Sequence, residues 1–378
     1  MSKASPIVEL ASALIARPSV APADGGCQAI IAARLAAAGF RIEPMRFGDI
    51  DNLWARRGDA GPLLCFAGHT DVVPTGPAER WSTPPYEPSV IDGKLHGRGS
   101  ADMKGALAAM VVAAERFASA HPRHKGSLAF LITGDEEGPS IDGTAKVIER
   151  LSARGERIDW CLLGEPSSEA RLGDTLRHGR RGSLSARLTI KGVQGHVAYP
   201  ERAVNAIHRA LPVLAELVAT RWDECGADFP PTTFQISNLH AGLGTNNVIP
   251  GEAEVRFNLR YSTASSYESL TARIEAMLKA HRVEHSIEWK DAGRPFLTTG
   301  RRLIDAATGV VRNTLGVTPK LSTGGGTSDG RFIAPTGAEV VELGPLNATI
   351  HQVDERVAVA DLERLAEVYE RICAELLG

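Results

Sequence analysis

Residues 63–74, LLCFAGHTDVVP, decide how the rest of the chain is read. Leu63 to Ala67 form an unbroken apolar run, the pattern of a strand buried on both faces of a parallel sheet. The run ends in His69 and Asp71, two residues apart. On extended backbone, residues i and i+2 point to the same side. Both side chains are therefore expected to leave the carboxyl end of the strand together, where open α/β sheets keep their ligand sites. Taken alone, the pair has a plainer reading as a core histidine with a capping carboxylate, and the remaining segments must decide between the two.

Outward from this strand, the first 175 or so residues alternate between two periodicities. IVELASALIA, CQAIIAARLAAAGF, GALAAMVVAAERFASA and AKVIERLSARG have helical spacing, whereas SLAFLITG and DWCLLGE are strand-like. That alternation predicts an α/β fold with a mostly parallel, helix-covered sheet. From residue 180 the texture changes. SLSARLTIK, TTFQISNLH, EAEVRFNLRYS and VEHSIEWK alternate as strands, separated by a helix carrying Ala203, Ile207, Ala210, Leu211, Leu214 and Val218, and by a second with Leu270, Ile274, Met277 and Leu278. The order β-α-β-β-α-β predicts a ferredoxin-like unit. After residue 293 the first texture returns in RLIDAATGVVRNTLG, AEVVELG and DLERLAEVYERICAELL. The expected organisation is a catalytic domain in two segments, 1–179 and 294–378, interrupted by an inserted domain at 180–293.

A chain of 378 residues with 43% hydrophobic and 23% charged residues has an ordinary globular composition and room for two cores. A formal charge of −3 and an isoelectric point near 6.4 give no electrostatic reason for nucleic acid or an anionic membrane as partner. No run of about 18 apolar residues occurs. The N-terminal stretch has helical period rather than a signal-peptide core. Cys27, Cys65, Cys161, Cys225 and Cys373 are scattered without a CxxC pair, so buried free thiols in a cytoplasmic protein are expected.

Several polar residues fall at or just past strand ends. Asp102 lies in the glycine-rich HGRGSADMKG before a helix, Glu136 and Glu137 in GDEEG after SLAFLIT, and Glu165 in CLLGEP. His351, in NATIHQVDE, follows a further strand. Each has a plain reading singly, as a cap or a solvated acidic turn. Together they put two imidazoles and several carboxylates at one edge of one sheet. That donor set suits zinc or a similar divalent cation, and so much acid in one place needs positive charge.

The motifs FAGHTDVVPTGP, GRGSADMKG, GDEEGPSIDGT, GEPSS, GRRGS, QGHVAYP, GTNNVIPG, GGGTSDGRF and NATIHQVDE run in order from about residue 66 to 355. They resemble the two-zinc family of amide hydrolases that includes acetylornithine deacetylase, aminoacylases and some carboxypeptidases. Gly134 in the acidic turn and His178 before GRRGS depart from the pattern without removing a ligand. The resemblance implies two Zn2+ per subunit, with Co2+ as a plausible substitute. Asp102 would bridge both ions, His69 and Glu165 would complete one site, and Glu137 and His351 the other. It also implies Asp71 as the carboxylate orienting His69, Glu136 as general base, and a cis peptide at Asp102–Met103.

By the same resemblance His196 would stabilise the oxyanion in a partner subunit's site, making the enzyme a homodimer through the inserted domain. GGGTSDGRF and GRRGS point to the subgroup that releases succinate from N-succinyl-L,L-2,6-diaminopimelate. For that tricarboxylate, Arg180, Arg181 and Arg260 offer guanidinium groups. Ser183, Tyr199, Asn246, Asn247 and the backbone of Gly324, Gly325, Gly326 and Thr327 offer hydrogen bonds. A deacetylase or aminoacylase on the same scaffold, or a non-catalytic metal- or peptide-binding homologue, remain the alternatives.

Overall fold

The computed structural model describes residues 5–224 and 226–378. The chain divides into two compact units: one comprises the chain up to Gly179 together with Thr298–Ser322 and Ser328–Gly378, the other Arg180–Leu297 and Thr323–Thr327. The second boundary thus falls four residues beyond the expected 293. Thr323–Thr327, read from sequence as part of the returning segment, groups with the insertion. The cause is local bonding: Thr323 Oγ1 donates to the carbonyl of Asp228, and Arg180 Nη1 donates to the carbonyls of Gly324 (3.3 Å) and Gly326 (3.2 Å).

The first unit contains strands β1 (Arg41–Phe47), β2 (Ile50–Arg57), β3 (Leu63–His69), β4 (Ser127–Thr133), β5 (Trp160–Leu163), β6 (Thr175–Arg177), β7 (Lys320–Ser322) and β8 (Glu339–Glu342). They form one sheet in the order β1-β2-β4-β3-β5-β8-β6-β7. The four middle strands β4, β3, β5 and β8 are mutually parallel, and β1 and β2 join antiparallel at one edge. Of these, β3, β4 and β5 are mainly apolar in sequence because both of their faces are covered, whereas β8 carries Glu339 and Glu342 at its ends. Helices α1 (Pro6–Ile15), α2 (Cys27–Ala37), α3 (Gly105–Ala120), α4 (Thr144–Ala153), α5 (Arg302–Leu315) and α6 (Val359–Leu377) supply the cover. Leu64, Phe66, Phe130, Met110, Phe117 and Tyr369 are among the fully buried residues of the resulting core.

Helix α2 stops where Gly39 takes φ +84°, a left-handed value, and the Gly39 and Phe40 amides close back on Ala36 and Leu35. At Gly68 and Gly164 the sheet meets α3 and Met103, two residues before it. A Cβ on Gly164 would lie 2.6 Å from Met103 Cε and 3.0 Å from Ala106 Cβ. Two small residues on adjacent strands therefore set how deeply the Asp102–Met103 segment sits against the sheet.

In the second unit the strands Gly182–Lys191, Thr233–Ala241, Glu252–Tyr261 and His285–Gly293 pair antiparallel, with the fourth next to the first, then the third, then the second. Helices Ala206–Ala219 and Tyr267–Ala280 complete the β-α-β-β-α-β order. The core is Leu184, Leu188, Val213, Leu217, Val255, Phe257, Leu259 and Ile274 with their neighbours. One helix face differs from the sequence reading. Ala206, Ala210, Val213, Leu214 and Leu217 are buried, whereas Leu211 (55% exposed) and Val218 (62%) point away from this core. The helix begins at Ala206, capped by Asn205, rather than near Ala203.

Among the described residues no helix is long and apolar enough to cross a membrane. Cys27, Cys65, Cys161 and Cys373 are buried free thiols, and Cys225 lies outside the described residues.

Candidate metal centre

The parallel register brings the strand ends together. His69 pairs with Thr133 across β3 and β4, Ala67 with Leu163 across β3 and β5, and Leu163 with Glu342 across β5 and β8. The segments that follow these ends carry the acidic turn 134–138, Glu165 and His351. Asp102 arrives in an irregular turn, Ser100–Lys104, ahead of α3, with a cis peptide at Asp102–Met103.

Three groups form, in each of which the potential ligand atoms lie within 4.8 Å of one another: His69, Asp102 and Glu165; Asp102, Glu137 and His351; and His69, Glu136 and Glu137. Asp102 belongs to the first two. Its Oδ1 is 3.3 Å from His69 Nε2 and its Oδ2 3.3 Å from His351 Nε2. His69 Nε2 is 3.8 Å from Glu165 Oε1, and His351 Nε2 is 2.7 Å from Glu137 Oε1. His69 Nε2 and Asp102 Oδ1 are both buried and neither has a hydrogen-bond partner. Buried polar atoms are almost always partnered, so a facing orphan nitrogen and oxygen are what a cation site leaves when its ion is removed. The nitrogen and oxygen donors fit a divalent metal at either Asp102-containing group. All five sequence-predicted ligand candidates converge here, and Glu136 stands beside them.

Asp71 does something other than the sequence reading proposed. β3 ends at His69, so the i, i+2 rule for a strand no longer governs Asp71. His69 Nδ1 bonds the backbone carbonyl of Asp71 at 2.9 Å, while the Asp71 carboxylate stands off at 3.6 Å. That carboxylate instead accepts the backbone amides of Glu136 (3.2 Å) and Glu137 (2.8 Å). Residue 71 thus orients the imidazole through its main chain and the acidic turn through its side chain.

Electrostatics follow from burial and crowding. Burial opposes ionisation of Asp102, but the facing imidazoles of His351 and His69 hold its carboxyl well below the usual range. Bonds to Asp102 and Glu137 carry His351 up to about 10. Burial opposes charge on His69 too, yet Asp102 and the carboxylates of Glu136, Asp71 and Glu165 raise it well above its ordinary value. Burial pushes Asp71 up to about 6, against the pull of His69 and the two amides. Glu136 is driven well above the carboxylate range by burial and by Glu165, with Asp329 and Glu137 adding to the effect.

Two residues of this corner carried no role in the sequence reading. Glu355 accepts the amides of Gly99, Ala101 and Asp102, and Arg98 Nη1. Asp329, within GGGTSDGRF, is buried and accepts Thr144 Oγ1 at 2.6 Å. Both lie inside quoted motifs, and their signal was an acid in a segment otherwise headed for the interior.

The remaining predicted residues belong to the second unit. His196 is exposed, its Nδ1 accepts the Ala198 amide at 3.0 Å, and the neutral ring therefore carries its proton on Nε2. Arg180 is buried and holds the Gly324–Gly326 loop, so this loop turns two carbonyls toward a cation rather than amides toward an anion. Arg260 lies opposite Ser183 in the strand register. Burial and the nearby Arg181 both lower its pKa, a sign of two guanidinium groups sharing one neighbourhood. Ser183 Oγ is tied to Asn258 Nδ2 at 3.1 Å. Tyr199, Asn246 and Asn247 are exposed, as are Gly325 and Gly326; Thr327 is half-buried.

Residues 65–375 match the model of peptidase family M20/M25/M40. The chain is 58% identical over 373 residues, 99% of both chains, to a succinyl-diaminopimelate desuccinylase of Thioalkalivibrio sulfidiphilus. Among solved structures it resembles an M20 family metallo-carboxypeptidase from Sulfolobus solfataricus (TM-score 0.82, 15% identity, 98% of this chain and 99% of that one). It also resembles a dinuclear metal-binding M20 peptidase from Bacillus subtilis (TM-score 0.71, 16% identity, 97% of each chain).

The direction of the histidine shifts sets the pH dependence of metal uptake. Without metal, His351 keeps its proton until about pH 10, whereas a metal ligand must be neutral. Divalent metal binding at pH 7 to 8 is therefore expected to release protons, and affinity to rise as pH climbs toward 10. Calorimetric titration in buffers of different ionisation enthalpy measures the release. A binding heat independent of buffer would contradict the protonated His351.

Proposed function

The chain belongs to peptidase family M20/M25/M40, and on that premise we propose that it is a two-metal hydrolase of N-succinyl-L,L-2,6-diaminopimelate. Its products are succinate and L,L-diaminopimelate, in a step of diaminopimelate and lysine synthesis in the bacterial cytoplasm. The observation that carries the reaction class is the sharing of Asp102 between two ligand groups with Glu136 beside both. The substrate rests on the 58% identical desuccinylase.

His69, Asp102 and Glu165 would hold one ion and Asp102, Glu137 and His351 the other, Zn2+ by the donor set, with Co2+ able to replace it. Two such ions, when bound, acidify a water molecule and polarise an amide carbonyl. The chain's own residues do the rest. Glu136 takes the proton of the attacking water and hands it to the departing amine, a role that suits a carboxyl raised by its surroundings. Asp71 holds the Glu136 and Glu137 backbone still while this happens. His196 presents Nε2–H to the tetrahedral oxyanion. Arg260 and Arg181 meet substrate carboxylates, while Arg180 shapes the loop of Gly324–Thr327 that borders them.

The family resemblance assigns His196 to the other subunit's substrate, which makes a homodimer the complete enzyme. The second unit carries apolar surface for such a contact. Leu211 and Val218 lie seven residues apart on one helix face, and Leu239 (52% exposed) sits on the sheet's edge strand Thr233–Ala241.

Three outcomes follow. Metal-free protein reloaded with Zn2+ should hydrolyse N-succinyl-L,L-diaminopimelate and largely ignore its N-acetyl analogue, and Arg260→Ala should impair the succinyl substrate selectively. Equal turnover of both substrates by the parent protein would hand the assignment to a deacetylase. Glu136→Gln should lower kcat by roughly 10²–10⁴ with metal content unchanged, and normal turnover would remove Glu136 as base. Paired Leu211→Glu and Val218→Glu substitutions should convert a dimer to monomer in light scattering, and an intact dimer would place the contact elsewhere.

A further inference from the structure

We propose that Glu355 is a positioning residue of the metal centre, which fixes the distance between Asp102 and His351 by gripping the Asp102 loop from the segment that carries the histidine. The inference rests on the two-metal reading above.

Glu355 is 1% exposed and its bonding capacity is filled. Oε2 accepts Arg98 Nη1 at 2.7 Å and the Gly99 amide at 2.9 Å; Oε1 accepts the amides of Ala101 at 2.8 Å and Asp102 at 3.0 Å. Three backbone amides of the turn that presents the shared ligand, Gly99, Ala101 and Asp102, thus converge on one carboxylate. Glu355 follows His351 by four residues, and the segment between them is tightly wound. His351 (φ +60°) and Asp354 (φ +59°) are both left-handed, an uncommon state for residues with a side chain. The same segment is pinned twice more to the loops around Asp102: Asp354 accepts the Ser82 amide (2.7 Å) and hydroxyl (2.8 Å), and the Gly97 amide donates to the Glu355 carbonyl at 3.0 Å. The 3.3 Å approach of His351 Nε2 to Asp102 Oδ2 is the distance at the mouth of this clamp.

A plain structural role, satisfying loop amides, would not require a charge. The corner already holds Asp102, Glu136, Glu137 and Glu165, and a further anion nearby raises its electrostatic cost. The clamp brings its own cation: Arg98, 2% exposed, lies over the Trp81 ring at 5.1 Å. An anion with a dedicated counter-ion, spent on three amides of a ligand loop, is what precise ligand placement demands.

The test titrates Co2+ into metal-free protein and follows the visible absorption of bound cobalt, with melting temperature measured in parallel. The parent protein should take up two equivalents. Glu355→Gln, which turns an amide group toward backbone donors, should bind the second equivalent at least about tenfold more weakly, within the range for lost ligand-orienting partners. It should also show an altered cobalt spectrum. Leu35→Ala, a core truncation in α2 with no part in the clamp, should lose thermal stability but keep the parent's titration and spectrum. Should Glu355→Gln fail to fold, Glu355→Asp, one methylene short of the loop, should show the same weakening to a smaller degree. A Glu355 variant that titrates like the parent overturns the positioning role. So does a Leu35→Ala protein that loses cobalt in step with its stability. A parent protein that binds no cobalt overturns the two-metal reading itself.

Discussion

Negative charge gathered in a buried corner is the constraint around which this molecule is organised. A buried carboxylate costs several kcal/mol unless paired or hydrogen-bonded. Asp102 is held ionised by two histidines, Asp71 is bonded by two backbone amides, and Glu355 by three amides and an arginine. Glu136 sits among Glu165, Asp329 and Glu137, and every one of these neighbours pushes its carboxyl upward. Protein groups alone leave that quarter of the site too negative. Divalent cations would complete the balance, and the carboxyl whose proton affinity is already raised is the one placed to move protons.

Much of the acid near the centre faces backbone rather than ligand. The Asp71 carboxylate spans Glu136 and Glu137, Asp135 Oδ2 accepts the amides of Ile141 and Asp142, and Glu355 spans the Asp102 turn. Loops are the mobile part of an α/β fold, and the acidic turn and the Asp102 turn are each fastened by a carboxylate from a different stretch of chain. On the two-metal reading, the strands would deliver the ligands to one edge and these carboxylates would set their separations.

The sequence disclosed the parts of the fold with strong period. The apolar runs of β3, β4, β5 and β8 and the helices between them were readable, because burial on both faces leaves no alternation to misread. The edge pair β1 and β2 was missed: RIEPMRF is mostly exposed or half-exposed and carries a proline, so it shows neither period cleanly. The buried face of helix Ala206–Ala219 was misjudged because Leu211 and Val218 are apolar yet exposed, and apolar character alone does not mark an inner face. His69, Glu137 and Glu165 were legible because they end or closely follow strands, and Asp102 because it lies in a glycine-rich turn before a helix. The roles of Asp71 and Glu355 were not, since which atoms a carboxylate meets depends on loop paths that spacing does not encode.

The strand order also has a bearing on how the protein is made. β8 lies between β5 and β6 in the sheet, yet it is encoded about 180 residues after β5, beyond the whole inserted unit. At ribosomal rates of about 5–20 residues per second, β5 waits on the order of ten to forty seconds with one edge unfilled. The second unit, whose strands are all contiguous in the chain apart from one short loop, can fold during that interval. His351, beyond β8, emerges later still. On the two-metal reading, a nascent chain would hold no complete set of ligands until translation is almost finished, and metal capture would be a late event in the life of each new molecule.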